Sequence, residues 1–97
     1  MLLYKLGYFA TSLAGHDKGR VYMIVSEEGE KLGLCDGTHR CLNNPKYKKK
    51  KHVQMMRSER MAEAFPELIT SEDGNLRIRE AIADLEKEKK KTIQEEK

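Results

Sequence analysis

Glycine-containing turns divide the first half of the chain into short runs of residues that favour β-strands. The runs cover roughly residues 6–13, 20–26, 30–35 and 39–42, with a further brief one at 52–55. The turns between them lie at Gly15–Gly19, Glu28–Gly29 and Asp36–Gly37. Because connections this short join antiparallel neighbours, the pattern predicts an antiparallel sheet. A flat sheet of this size would expose its edges, so we expect the strands to curl into a small barrel.

The second half of the chain favours helices. Helix-forming residues cover 57–65, and Pro66 predicts the end of that short helix. From Leu76 onward, Ile78, Ile82 and Leu85 recur at helical spacing and predict a longer helix with Asp73 or Asn75 as its N-cap, frayed towards Lys97. We therefore expect a mainly β fold with an α extension: a barrel over 1–56 and helices over 57–97.

The charge of the chain is unevenly distributed. Residues 1–60 hold twelve Lys or Arg and six Asp or Glu, a net charge of +6, whereas residues 61–97 hold seven and ten, a net charge of −3. A basic front half suggests a polyanion as partner, bound through phosphate neutralisation and counterion release. No apolar stretch is long enough for an export signal or a membrane span, so we expect a cytoplasmic location and no membrane partner.

The most basic segment runs from Pro45 to His52 and holds five lysines in six consecutive positions. Like charges at this density repel one another and cost stability unless a polyanion screens them. The aromatic ring of Tyr47 lies within the run and could stack on a base or a ribose. The alternative interpretation is a solvated basic loop without a ligand, and the segment alone does not exclude it.

Other candidate sites are weak. Cys35, His39, Cys41 and His52 are potential zinc ligands, but five residues separate the cysteines, which does not match the usual Cys-x(2–4)-Cys spacing, and we expect free thiols. His16 and Asp17 are adjacent on a tight loop, where we expect Asp17 to hydrogen-bond the backbone of its own turn. We see no nucleophile, acid–base pair or metal cluster, and expect neither an enzyme nor a cofactor.

Three motifs together carry a resemblance to a known family: Ser12–Arg20, Cys35–Arg40 and Pro45–His52, in that order. Over about residues 6–55 the chain resembles KOW-domain RNA-binding proteins. It is most similar to the fourteen-e family of large-subunit ribosomal proteins and to their short stand-alone bacterial relatives. The resemblance implies an SH3-like barrel that binds structured or ribosomal RNA, in association with ribosomal particles, and has no enzymatic activity.

Candidate site residues follow from the motifs and from the basic segment. The loop-shaping residues are Gly15, Asp17, Gly19, Asp36 and Gly37. The expected RNA contacts are Lys18, Arg20, Arg40, Lys46, Tyr47, Lys48, Lys49, Lys50, Lys51 and His52. His16 stands where the resemblance predicts an arginine. The alternative function is a protein-interaction module of the transcription or translation machinery, with the apolar stripe over 76–93 as its docking face.

Overall fold

The computed structural model describes residues 4–95, with side chains up to Glu88. It contains a five-stranded antiparallel sheet followed by two helices, which confirms the mainly β fold with a helical extension. The strands are β1 (Phe9–Ser12), β2 (Val21–Glu28), β3 (Lys31–Cys35), β4 (Lys46–Lys49) and β5 (Val53–Met56), in the sheet order β4-β3-β2-β1-β5. The helices are α1 (Glu59–Thr70) and α2 (Gly74–Glu95), and no helix in this part of the chain is long and apolar enough to cross a membrane.

One predicted strand is wrong, and one strand was missed. Residues 39–42 form no strand, because the amides of Asp36 and Gly37 both donate to the carbonyl of Arg40 (3.0 and 3.1 Å) and turn the chain back on itself. The missed strand is β4, which lies within the lysine segment and pairs with β3, Lys49 opposite Lys31. The lysine segment is therefore half strand, and its lysines alternate between two faces.

The sheet is strongly curved. The edge strands β4 and β5 are consecutive in the chain and are joined only by a 3₁₀ turn, Lys50–His52. In a flat sheet they would lie about 19 Å apart at the usual strand spacing, whereas the four residue steps from Lys49 to Val53 reach at most about 14 Å. This turn is also hydrogen-bonded to the chain next to β3 and to the chain next to β1. The Lys50 amide donates to the carbonyl of Glu30, which precedes β3, and the Leu13 amide, which follows β1, donates to the carbonyl of His52 (both 2.9 Å).

Each face of the sheet has its own apolar cluster, as the period-two alternation of β2 requires. Tyr22 and Ile24 belong to one cluster, together with Tyr8, Ala10, Leu32, Leu34 and Val53, and Ala62 of α1 packs against its edge. Val21 and Met23 point the other way and pack with Phe9, Cys35, Phe65, Leu68, Ile78 and Ile82. The apolar stripe of α2 is therefore buried against the sheet, and each large side chain buried there contributes roughly 1.5–3 kcal/mol.

The helices depart from the prediction at two ends. α1 begins after Ser58, whose Oγ accepts from the Met61 amide (3.4 Å), but it continues through Pro66, so the predicted stop is wrong. Phe65 and Leu68, on either side of the proline, are both buried, and this burial offsets the lost backbone hydrogen bond. α2 begins at Gly74, before the expected Leu76. The expected fraying towards Lys97 concerns residues that lie outside those described.

Candidate nucleic-acid interface

The loop between β1 and β2 is a closed hairpin connection. The Gly19 amide donates to Ser12 O (2.8 Å), and the Ser12 amide donates to Arg20 O (3.0 Å). Gly15 and Gly19 have φ angles of +88° and +90°, a conformation that residues with a side chain rarely adopt. A Cβ at Gly19 would meet nothing within 4 Å, so this glycine is required by the backbone and not by packing, and the outer side of the loop is open.

The Asp17 side chain organises this loop. Its carboxylate accepts from Tyr22 Oη (2.8 Å) and Ser12 Oγ (2.8 Å), and it pairs with the Nζ atoms of Lys46 and Lys48, both at 2.9 Å. Burial favours the neutral acid, but these four donors outweigh it and hold the pKa of Asp17 well below its usual range. We expected Asp17 to bond the backbone of its own turn; its side-chain partners instead come from β1, β2 and β4.

Two of the predicted RNA contacts are therefore engaged within the protein. Lys48 Nζ bonds Ala14 O (2.8 Å) as well as Asp17, and only 12% of its side chain is exposed. The Lys46 side chain is 31% exposed. The two lysines tie the hairpin loop to β4. The positive charge predicted to destabilise this segment is partly neutralised by one carboxylate, which explains why a lysine-rich strand can form here.

The Asp36–Arg40 turn has a comparable organisation. Asp36 Oδ1 accepts from the amides of Thr38 (2.8 Å) and Arg40 (2.9 Å). Burial opposes ionisation of Asp36, but these backbone N–H groups keep its pKa lowered. Gly37 has a φ angle of +82°, and a Cβ at this position would lie 2.9 Å from Arg79 N and closer still to Asn75 O. The first turns of α2 thus pack directly on the glycine.

The hairpin loop and the Asp36–Arg40 turn meet at one end of the sheet. Arg20 Nη1 lies 3.5 Å from His39 Nδ1 and 3.9 Å from Asp36 Oδ2. Together with α2, the two loops line an open groove of about 560 Å³. Its polar lining comes from three elements: His16, Asp17, Lys18, Arg20, Asp36, Thr38, His39, Arg79 and Glu86. The sequence did not show that these loops share one end of the fold.

The groove lining holds three cations, Lys18, Arg20 and Arg79, and three carboxylates, Asp17, Asp36 and Glu86. Lys18 and Arg79 are exposed and have no acidic partner within the described part of the chain, and the side chain of Arg20 is half exposed. The carboxylates of Asp17 and Asp36 already have several donors each. Sequence reasoning missed Arg79. The available signal was its position directly after the buried Ile78. A residue next to the buried apolar stripe of a helix lies at the edge of the surface where the helix packs on the rest of the fold.

Comparisons with known proteins do not identify the chain. No family model matches it, and no curated protein is similar enough to count as a match. The resemblance to KOW-domain proteins therefore stays a prediction from its motifs.

The remaining predicted contacts lie apart from the groove lining. Lys49, Lys50 and Lys51 line a smaller depression of about 260 Å³ with Glu30, next to the turn that precedes β3. Lys50 pairs with Glu27, and its Nζ lies 5.6 Å from the centre of the Tyr4 ring. Lys49 and Lys51 are exposed, and the two further predicted contacts, Arg40 and His52, are partly exposed. The predicted set is thus divided into at least two surfaces.

Cys35 and Cys41 are free thiols in different environments. Cys35 is fully buried, and burial raises the pKa of its thiol to about 12. Cys41 is partly exposed, with its Sγ 3.6 Å from Thr38 O. Among the residues that the structure describes, no three His, Cys, Asp or Glu side chains are grouped closely enough to hold a metal ion.

Proposed function

We propose that this protein binds RNA and that the groove beside the hairpin loop is its main phosphate-binding surface. One observation carries the proposal: Lys18 and Arg20 of the hairpin loop and Arg79 of α2 line one open groove. Lys18 and Arg79 are exposed and have no acidic partner among the described residues, so a phosphate backbone would pair with them and release its own counterions. The proposed ligand is structured or ribosomal RNA, bound in association with ribosomal particles.

The chemistry of the groove favours a polymer backbone over a small substrate. Its donors are long, flexible side chains and an exposed loop, and the open space of about 560 Å³ lies at the surface. His16, His39 and Thr38 add hydrogen-bonding groups that suit phosphate and ribose oxygens. The choice of RNA among polyanions depends on the resemblance of the three motifs to KOW-domain proteins.

The proposal extends to the fold, which we infer closes as an SH3-like barrel. The bonds of Lys48 support closure, because they join the edge strand β4 to Ala14 and Asp17 in the loop after β1. In sheet order, two strands separate β4 from β1. Only a curved sheet brings them within the length of one lysine side chain.

The proposal gives different roles to different basic residues. Lys18, Arg20 and Arg79 would contact phosphates in the groove, and the exposed Lys49 and Lys51 would extend the contact. Lys46 and Lys48 would act through the shape of the loop. The contacts predicted for Arg40, Lys50 and His52 remain predictions from sequence.

The rival function, a protein-interaction module, has less support. Its distinguishing feature was an exposed apolar stripe over 76–93, but Ile78 and Ile82 are buried against the sheet and Leu85 is partly buried, so that Leu76 alone of its described members is exposed. Ile93, the last residue of that stripe, lies outside the described side chains. Crosslinking in cells separates the two functions, since recovery of proteins but no RNA above background would favour the rival.

Salt-titrated binding tests the proposal directly. Each lost phosphate contact should lower the slope of log affinity against log salt by roughly 0.7–0.9. We expect Lys18→Ala and Arg79→Ala each to show such a loss. Arg60→Ala is the matched control, because Arg60 is an exposed cation without an acidic partner in the described residues, on α1 and outside the groove lining. Equal slopes for all three variants would contradict the proposal.

A further inference from the structure

The two sides of β4 differ in what they contact. Lys46 and Lys48 point towards Asp17, so the alternation of the strand turns Tyr47 and Lys49 to the opposite side. Tyr47 is 43% exposed and is one of the few large apolar side chains left at the surface of the described chain. This side of the strand has no role in tying the hairpin loop to β4.

Gly33 provides the support beneath the Tyr47 ring. The two residues are directly opposite each other on β3 and β4, and a Cβ at Gly33 would lie 3.3 Å from Tyr47 Cε1 and would clash with Ser26 Oγ. Gly33 does not have a positive φ, so space and not backbone conformation demands a glycine. The ring packs over bare backbone on one side and leaves much of its surface to solvent.

Two unscreened lysines lie next to this ring. Lys31 and Lys49 are directly opposite each other, both are exposed, and neither has an acidic partner within 4 Å among the described residues. Like charges in this position destabilise a sheet. Lysines on an edge strand can also discourage pairing with other chains, but an exposed aromatic ring has the opposite effect. A flat ring with two cations on one side of it instead matches a nucleotide, which has a flat base and an anionic phosphate.

We infer that Tyr47, with Lys31 and Lys49 next to it, stacks on an unpaired base, so that the bound RNA contains a single-stranded loop, bulge or end. The inference rests on the proposed RNA-binding function and adds the class of RNA. Bases within a duplex are stacked on one another and are out of reach of an aromatic side chain, whereas splayed bases stack on such rings.

A tryptophan at position 47 provides a direct test. The chain contains no tryptophan, so Tyr47→Trp introduces a single indole whose fluorescence a stacked base quenches. The probes are an oligouridylate of roughly 12 nucleotides, an RNA duplex of the same length, and inorganic polyphosphate. We expect quenching by the oligouridylate alone. Quenching of equal size by polyphosphate, or none by the oligouridylate while the protein binds it, would overturn the inference.

Affinity measurements give a second readout. Tyr47→Leu retains an apolar cover over Gly33 but removes the aromatic face, and should weaken oligouridylate binding by roughly 5- to 100-fold while duplex binding changes less than 2-fold. Tyr47→Phe is the matched control and should bind like the parent protein; thermal melting of each variant checks its fold. If Tyr47→Leu binds normally while Arg79→Ala still weakens every RNA, the stacking inference fails and the proposed function stands. If neither variant affects any RNA, the proposed function itself fails.

Discussion

Replacing Asp17 by asparagine should destabilise the fold by about 3 kcal/mol. The Asp17 side chain is only 9% exposed and accepts from four donors, two of which are lysine ammonium groups. Losing the charge leaves Lys48 nearly buried without its anionic partner, which costs about 1.5–3 kcal/mol. Lys46 is more exposed and contributes less than about 1 kcal/mol. The two contributions together span about 1.5–4 kcal/mol. The asparagine Oδ1 retains an acceptor for Ser12 or Tyr22, so the expected loss lies near the middle of this combined range and not at its upper end.

Chemical and thermal unfolding measure this loss. For a domain of this size, about 3 kcal/mol corresponds to a fall of roughly 12–24 °C in Tm. Asp84→Asn is the matched control, because Asp84 is exposed on α2 and forms no ion pair within the described residues, and its Tm should stay unchanged. In a double-mutant cycle, Asp17→Asn combined with Lys48→Met should cost less than the sum of the single changes by at least about 1 kcal/mol.

The pH dependence gives an independent check on the same carboxylate. The folded state lowers the pKa of Asp17, so its contribution to stability is present above the unfolded value of about 3.9 and is lost as the pH falls towards the folded value. The parent protein should therefore lose more stability than Asp17→Asn when the pH is lowered from about 6 to 3. A variant within about 0.5 kcal/mol of the parent at neutral pH, or strictly additive effects in the cycle, would refute the reasoning.

Further predictions concern the helices and the thiols. Gly37→Ala should cost about 2–4 kcal/mol, measured by urea unfolding, because the new Cβ meets the α2 backbone at Asn75 and the φ angle is positive; an unchanged midpoint would contradict the observed packing. Pro66→Ala should stabilise the protein by about 1–2 kcal/mol in the same assay, since it restores a helix N–H, and a loss of stability would show that the proline is favourable where it stands. At pH 8, iodoacetamide should modify the partly exposed Cys41 well before Cys35, whose raised pKa and burial keep it a protected thiol; equal rates by mass spectrometry would exclude this difference.

Local signals in the sequence predicted the parts of this fold that depend on near neighbours. The spacing of Ile78 and Ile82 predicted the apolar face of α2, and the Asp36–Gly37 pair predicted a turn. Both features arise from residues within one or two turns of chain, where periodicity and backbone preference decide the structure.

The parts that sequence reasoning missed depend on distant partners. β4 forms in a lysine run because Asp17, about thirty positions earlier in the chain, neutralises two of the lysines. The groove needs Arg79 beside the hairpin loop, and that neighbourhood exists only because α2 docks on Gly37. A pattern of residue types carries no information on such contacts, so the division of the lysines between structure and surface could not be predicted.

The docking of α2 on Gly37 also affects when the groove can exist. Arg79, Ile82, Ala83 and Glu86 supply one of its walls, and they follow both loops in the order of synthesis. A chain that is still being translated can therefore form the curved sheet and both loops before that wall emerges. The groove is completed only when α2 has left the ribosome and packed, so the nascent protein would acquire its proposed binding surface as one of the last steps of its own folding.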